Sequence, residues 1–174
     1  VIYLIGIHHE LQHNGRNSAN EISKKKFTDY LESKIKEFNL TIVAEEFNEE
    51  AIDISKATSN TTKDIADKMH IKYLFCDPNT EKRKTIGILS DREIRKSLGL
   101  KSCLSHDDIK RFDIEKRKYF FKREKFWFNK IEKYCNETMV FICGASHIKS
   151  FESLLINRGY RPIVLIEDWR KEMA

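Results

Sequence analysis

Apolar residues gather in five short runs, Val1–Gly6, Thr41–Glu45, Lys72–Cys76, Thr138–Cys143 and Pro162–Ile166, all rich in β-branched or aromatic side chains. Their apolar character is nearly continuous rather than alternating, which is the pattern of strands covered on both faces. Between the first two runs, Phe27, Tyr30, Leu31, Ile35 and Phe38 recur at the spacing that lays one apolar stripe along a helix. Stretches Phe47–Ala57 and Asp64–Met69 read as helical, the second opened by Thr61 and Asp64 at capping-box spacing. Ile148, Phe151, Leu154 and Leu155 form the stripe between the last two runs, and Gly159 follows as a left-handed helix stop. The alternation predicts an α/β fold: a mostly parallel central sheet of about five strands with right-handed crossovers and helices on both faces. In the common doubly wound order, strands one and four are neighbours at the switch point, beyond whose carboxyl ends ligands bind.

Residues 79–105 interrupt this rhythm. A basic loop, Glu81-Lys82-Arg83-Lys84, precedes a short helix opened by Ser90 and Glu93 and stopped at Gly99, together predicting a helical lid insertion. Residues 107–134 then predict one long helix with Ile109, Phe112, Tyr119, Phe120, Phe126, Trp127 and Ile131 on or near one face. Arg123 falls inside that stripe, so its guanidinium is either carried inward or held at the stripe's edge with its head in water. An inward guanidinium requires an anionic partner, because an unpaired buried charge is strongly destabilising, and the paired glutamates, Asp77, or a substrate phosphate or carboxylate would serve.

Chemistry concentrates where the strands end. The first four runs lead into Gly6-Ile7-His8-His9, Ala44-Glu45-Glu46, Cys76-Asp77-Pro78 and Gly144-Ala145-Ser146-His147. A single histidine or acid after a strand is ordinarily a structural residue, whereas the joint pattern predicts one site gathering His9, Glu45, Glu46, Asp77 and His147. Imidazoles and carboxylates serve both divalent metals and general acid–base work. Because successive strand positions point to opposite sides, His8 and His9, or Glu45 and Glu46, do not share one crevice while the strand continues. His9 and Glu46 are the favoured members, with Glu45 retained. Expected metal ligands are His9, Glu46, Asp77 and His147. His8, Arg83, Arg123 and Ser146 are expected against substrate. Gly6 and Gly144 each stand three residues before a histidine, where a missing side chain admits backbone or ligand.

Composition narrows the classes. A 174-residue chain that is 40% hydrophobic fits a single α/β domain over 1–174. No apolar run approaches the roughly 20 residues of a membrane-spanning helix, and Val1–Ile7 reads as a buried strand rather than an export signal. Cys76, Cys103, Cys135 and Cys143 lack CxxC spacing, which points to a reducing cytoplasm rather than a disulfide framework or zinc knuckle. Net charge is +5 with acids close behind bases, so an anionic substrate is permitted without a nucleic-acid footprint being demanded. There is no dinucleotide-binding glycine loop, no Walker A pattern and no GxSxG elbow.

Two GxxH motifs, Gly6–His9 and Gly144–His147, bracket the paired-glutamate strand end VAEEFNEEA. With FCDP, the REKFW segment beginning at Arg123, and FICGASH leading to SFESLL, they resemble the erythromycin esterase, Tiki peptidase, TraB and ChaN-like superfamily, closest to a compact bacterial branch. The resemblance spans most of the chain on short motifs. It implies a shared site of His9, His147, Glu45, Glu46 and Arg123, in a group holding hydrolases, some metal-dependent, beside haem-binding and pheromone-inhibiting proteins. The expectation is therefore a hydrolase using paired His and Glu or Asp at strand ends to activate water, with or without a divalent Mn, Zn or Mg ion. The alternative is a nuclease or a small-anion or nucleic-acid-binding module, using the basic segment 81–84 and Lys110–Lys125, with Tyr119 and Phe120 stacking on bases.

Overall fold

The computed structural model describes residues 1–101 and 104–172. Strands β1 (Ile2–Ile7), β2 (Ile42–Glu45), β3 (Lys72–Phe75), β4 (Met139–Gly144) and β5 (Ile163–Ile166) form one sheet in the order β3-β2-β4-β1-β5. Every pairing is parallel. The helices are α1 (Glu21–Glu37), α2 (Glu49–Ser55), α3 (Thr61–Lys68), α4 (Thr80–Thr85), α5 (Asp91–Ser97), α6 (His106–Arg117), α7 (Phe120–Ile131), α8 (Ile148–Asn157) and α9 (Trp169–Glu172).

Strand periodicity divides the core in two. Ile2 and Leu4, Ile42 and Ala44, and Met139, Phe141 and Cys143 face Trp127, Phe128 and Ile131 of α7 and Phe151 and Leu155 of α8. The intervening residues Ile5, Val43, Val140 and Ile142 face Phe27, Leu31 and Ile35 of α1 and Ile65 and Ala66 of α3. Both sheet faces are therefore dry, which explains why the strand runs carry almost no polar positions. The chain winds outward from β1 past β4 to β2 and β3, then returns to β4 and on to β5, so winding reverses between β1 and β4. His9 and His147 follow those two strands.

Several sequence expectations are corrected. The long helix is two, α6 and α7, broken around Lys118 and Tyr119. The halves serve different partners: α6 packs on α5 and buries Phe112, whereas α7 packs on α8 and buries Phe120, Arg123, Glu124, Trp127, Phe128 and Ile131. Segment 81–84 is helical, not a loop; α4 buries none of its side chains, so no apolar stripe announced it. Helix α3 is capped by Asn60, whose side chain accepts the Lys63 N–H, rather than by Thr61. The expected Ser90–Glu93 capping box is present on α5. Cys103, expected as a dispersed thiol, lies outside the described residues; Cys76, Cys135 and Cys143 are buried free thiols. Among the described residues no helix is long and apolar enough to cross a membrane.

Candidate functional site

Parallel pairing brings the polar strand ends together. The Glu46 N–H donates to the Ile142 carbonyl at 2.8 Å, Cys76 to Glu45 at 2.9 Å and Asp77 to Phe47 at 3.1 Å. Backbone ladders thus hold the segments after β2, β3 and β4 in register just past the sheet edge. Because β2 places Val43 against α1 and α3, Glu45 falls on that same side and Glu46 on the side of α7. Neighbouring glutamates enter different environments.

Glu45 is fully buried and, among the described residues, faces no cation. Its carboxylate accepts from Thr62 Oγ1 at 2.8 Å, Asn60 Nδ2 at 2.9 Å, Gln12 Nε2 at 3.1 Å and the Tyr73 hydroxyl. Burial pushes its carboxyl pKa up, and these four donors only partly oppose the shift.

Glu46 is equally buried but meets positive charge. Arg123 NH2 lies 2.6 Å from its Oε1, with His147 Nε2 at 3.8 Å and His9 Nε2 at 4.0 Å. Its second oxygen accepts the Gly144 N–H at 2.7 Å. Burial works to raise its pKa, but Arg123 first, then His147, His9 and the Gly144 N–H, hold it down at about 2. The Arg123 guanidinium directs its hydrogen bonds elsewhere, to Asp77 Oδ1, from Nε at 3.1 Å and NH2 at 2.7 Å. Glu46 Oε1 is consequently the one buried side-chain polar atom among the described residues without a hydrogen-bond partner. Burial pulls the Arg123 pKa down, but the charges of Glu46 and Asp77 more than offset it and keep the guanidinium charged.

Asp77 is fully engaged. Besides Arg123 it accepts from Trp127 Nε1 at 3.0 Å and from Arg83, whose Nε also donates to the Pro78 carbonyl at 3.1 Å. His147 lies under Phe120, ring centroids 3.7 Å apart, and its Nδ1 is 2.8 Å from Glu124 Oε1. Ser150 Oγ donates to the same Glu124 oxygen at 2.5 Å. His9, by contrast, has a side chain 60% exposed and forms part of the rim of a cleft of about 810 Å³. Its lining includes the buried Glu46, Asp77 and Arg123 and, from the inserted segment, Arg83, Ile88 and Arg92.

The structure therefore brings His9, Glu46, Asp77, Arg123 and His147 together, with Arg83 joined through Asp77. It separates the rest. Glu45 reaches His9 only through Gln12, whose Oε1 is 2.5 Å from His9 Nδ1. His8 turns the other way, to Asp168 at 3.0 Å, and lines a second depression of about 840 Å³ along with the exposed Ser146. The two glycines differ in use. A Cβ on Gly6 would sit 2.0 Å from the Glu167 carbonyl oxygen, so backbone needs that space. A Cβ on Gly144 would sit 3.3 Å from Glu46 Oε2 and 3.5 Å from His9 Nε2, within the site itself.

Glu124 and Gln12 escaped the sequence reading. Glu124 lies four residues after Phe120 and three before Trp127, on the buried stripe of α7, and that periodicity was available to mark it. Gln12 had no such signal, since it sits in irregular chain after a 3₁₀ turn at His9–Leu11. The buried thiols are not nucleophile candidates: burial pushes Cys76 up to about 12 and Cys143 well above its ordinary value.

As for a metal, imidazole and carboxylate ligands bind divalent ions at roughly 2.0–2.2 Å. His9, His147 and Glu46 converge on one region, but among the described residues no three His, Cys, Asp or Glu side chains stand at metal-binding spacing. Asp77 is engaged by Arg123, Trp127 and Arg83. No protein-family model, curated protein or solved structure matches this chain.

Proposed function

We propose that the chain is a hydrolase in which the His9 imidazole removes a proton from a cleft water while Arg123 stabilises charge developing on the substrate. One observation carries the reading: the Nε2 atoms of His9 and His147 lie 4.0 and 3.8 Å from one Glu46 oxygen, which has no hydrogen bond among the described residues and is ion-paired with the buried Arg123, and His9, Glu46 and Arg123 line an open cleft. A general base must be reachable by solvent and lie within contact of the water it activates, and His9 is the exposed member of the pair. The water's proton passes to His9 Nε2, the resulting hydroxide adds to a carbonyl carbon or phosphorus, and the imidazolium returns the proton to the departing group. Arg123 NH1 has no protein partner among the described residues and is the donor available to a carbonyl or anionic oxygen. The cleft carries both signs, Arg83, Lys84, Arg92 and Lys96 beside Glu50, Asp91 and Glu93, so the preference for an anionic or carbonyl-bearing small molecule rests on Arg123. The resemblance to the erythromycin esterase, Tiki, TraB and ChaN-like superfamily agrees with this assignment, as does a reducing cytoplasm for a chain whose described cysteines are unpaired.

A second reading follows from Glu46 Oε1 having no hydrogen-bond partner. His9, His147 and Glu46 would hold a divalent Mn, Zn or Mg ion, which when bound would lower the pKa of a coordinated water. The nuclease and nucleic-acid-binding alternatives lose one support, because Phe120 is buried with its ring against His147.

The test is a panel of activated carboxylic esters, lactones, phosphomonoesters and a single-stranded oligonucleotide, run with and without chelator. For the substrate turned over, His9→Gln reduces kcat about 100-fold or more, Arg123→Met also lowers it, and chelator has no effect. Loss on chelation with recovery on adding Mn²⁺, Zn²⁺ or Mg²⁺ selects the metal reading. Undiminished turnover in His9→Gln, or no turnover across the panel, overturns the hydrolase assignment.

A further inference from the structure

The two imidazoles reach Glu46 from different elements, yet each is fastened by its other ring nitrogen. Glu124 Oε1 receives the Ser150 hydroxyl and lies 2.8 Å from His147 Nδ1, so an oxygen acting as acceptor faces that nitrogen. On the other side, Gln12 Nε2 donates to Glu45 Oε1 and to the Glu46 carbonyl, both at 3.1 Å. These two acceptors fix which end of the amide is nitrogen, leaving Gln12 Oε1 toward His9 Nδ1 at 2.5 Å. Each Nδ1 therefore carries the hydrogen in the neutral ring, and each Nε2 keeps its lone pair.

We propose that Glu124 and Gln12 are positioning residues that hold His147 and His9 in the same Nδ1–H tautomer, so that both Nε2 lone pairs meet at Glu46 Oε1. Glu45 is the anchor of this arrangement: it sets the orientation of the Gln12 amide and touches neither the cleft nor the reacting group. Both Nε2 atoms thus lie within 4.0 Å of the oxygen that Arg123 NH2 meets at 2.6 Å, and the group their lone pairs receive is a proton donor. The use made of those lone pairs rests on the proposed hydrolase, whereas the tautomers belong to the resting protein.

The protein supplies its own controls. His8 Nε2 lies 3.0 Å from Asp168 Oδ1, while its Nδ1 faces the Arg170 guanidinium. His13 Nδ1 accepts the Gly15 N–H at 3.1 Å. Both rings are thereby assigned the opposite, Nε2–H form.

Long-range ¹H–¹⁵N correlation spectra of histidine-labelled protein, without substrate and at a pH beyond ring titration, distinguish the two forms directly. Expected are Nδ1–H signatures for His9 and His147 and Nε2–H signatures for His8 and His13. In Gln12→Leu, His9 loses its Nδ1–H signature while His147 keeps it, and Glu124→Leu reverses that outcome. An Nε2–H signature for His9 or His147 in the unsubstituted protein overturns the proposal, as does a folded variant whose tautomers are unchanged. If either variant fails to fold, the spectrum of the unsubstituted protein still decides. Because no turnover is read, a failed substrate screen leaves this result standing.

Discussion

Glu45 and Glu46 are adjacent and both fully buried, yet they respond to pH with opposite sign. Folded Glu46 titrates at about 2 against an ordinary 4.5, because Arg123 and the two imidazoles favour its charged form over the cost of burial. The folded carboxylate binds a proton less readily than the unfolded one. Its stabilisation is thus fully present above about pH 4.5 and is lost as pH falls from there toward 2. Glu45, surrounded by neutral donors, has its pKa raised by burial, so its ionisation works against folding as pH rises past the ordinary value. Glu46→Gln should lower stability at neutral pH, by removing one ion-pair partner of Arg123, and should flatten the acid limb of the profile. Urea midpoints measured from pH 2 to 7 check this. An acid limb as steep in the variant as in the parent would assign the pH dependence to other carboxylates.

At the scale of elements, short helices and loops around the strand ends do more than connect. Asn60 caps α3 with its Oδ1, accepting Lys63 N–H at 2.6 Å, and with its Nδ2 donates to Glu45 at 2.9 Å. Asn20 caps α1 in the same way but is exposed and makes no second bond of this kind. A lost cap costs about 1 kcal/mol, and removing one donor from a buried carboxylate adds about 1–3 kcal/mol. Asn60→Ala should therefore destabilise by about 2–4 kcal/mol and Asn20→Ala by about 1 kcal/mol. Equilibrium denaturation of both variants makes the comparison, and equal losses would show that Asn60 acts as a cap alone. The break between α6 and α7 belongs to this scale as well. It frees α7 to lie on the sheet, where Arg123, Glu124 and Trp127 are presented to the strand ends, while α6 stays with the inserted segment.

For the molecule as a whole, the two faces of the sheet have different work. The α7 and α8 face carries Arg123, Glu124 and His147 at its carboxyl edge, and the α1 and α3 face supports the site from behind through Glu45, Asn60 and Thr62. Helix α9 closes the second face: Trp169 packs edge-on to Phe27 at 5.2 Å and Tyr30 at 5.3 Å, and Asp168 beside it holds His8 away from the cleft. Trp169 is 5% exposed, so Trp169→Ala should cost about 3–5 kcal/mol. Its measure is the chemical denaturation midpoint, and a loss below about 1 kcal/mol would mean that α9 is not part of the cooperative core.

The five strands, the apolar stripes of α1, α7 and α8, and the strand-end positions of His9, Glu46, Asp77 and His147 are legible in the chain itself, because burial on a sheet or helix imposes a period on side-chain polarity. That period also predicted that Glu45 and Glu46 part company. It offered Asp77 only as one of several partners for Arg123, and could not tell that Trp127 also takes it up, that Glu124 and Gln12 fasten the imidazoles, or that His8 faces another depression. It also missed α4, which buries nothing, and the break after α6, where the stripe changes partner. Local sequence fixes which way a side chain leaves its own element. Which charge or donor it then meets depends on segments brought alongside by the order β3-β2-β4-β1-β5, and only tertiary structure decides that.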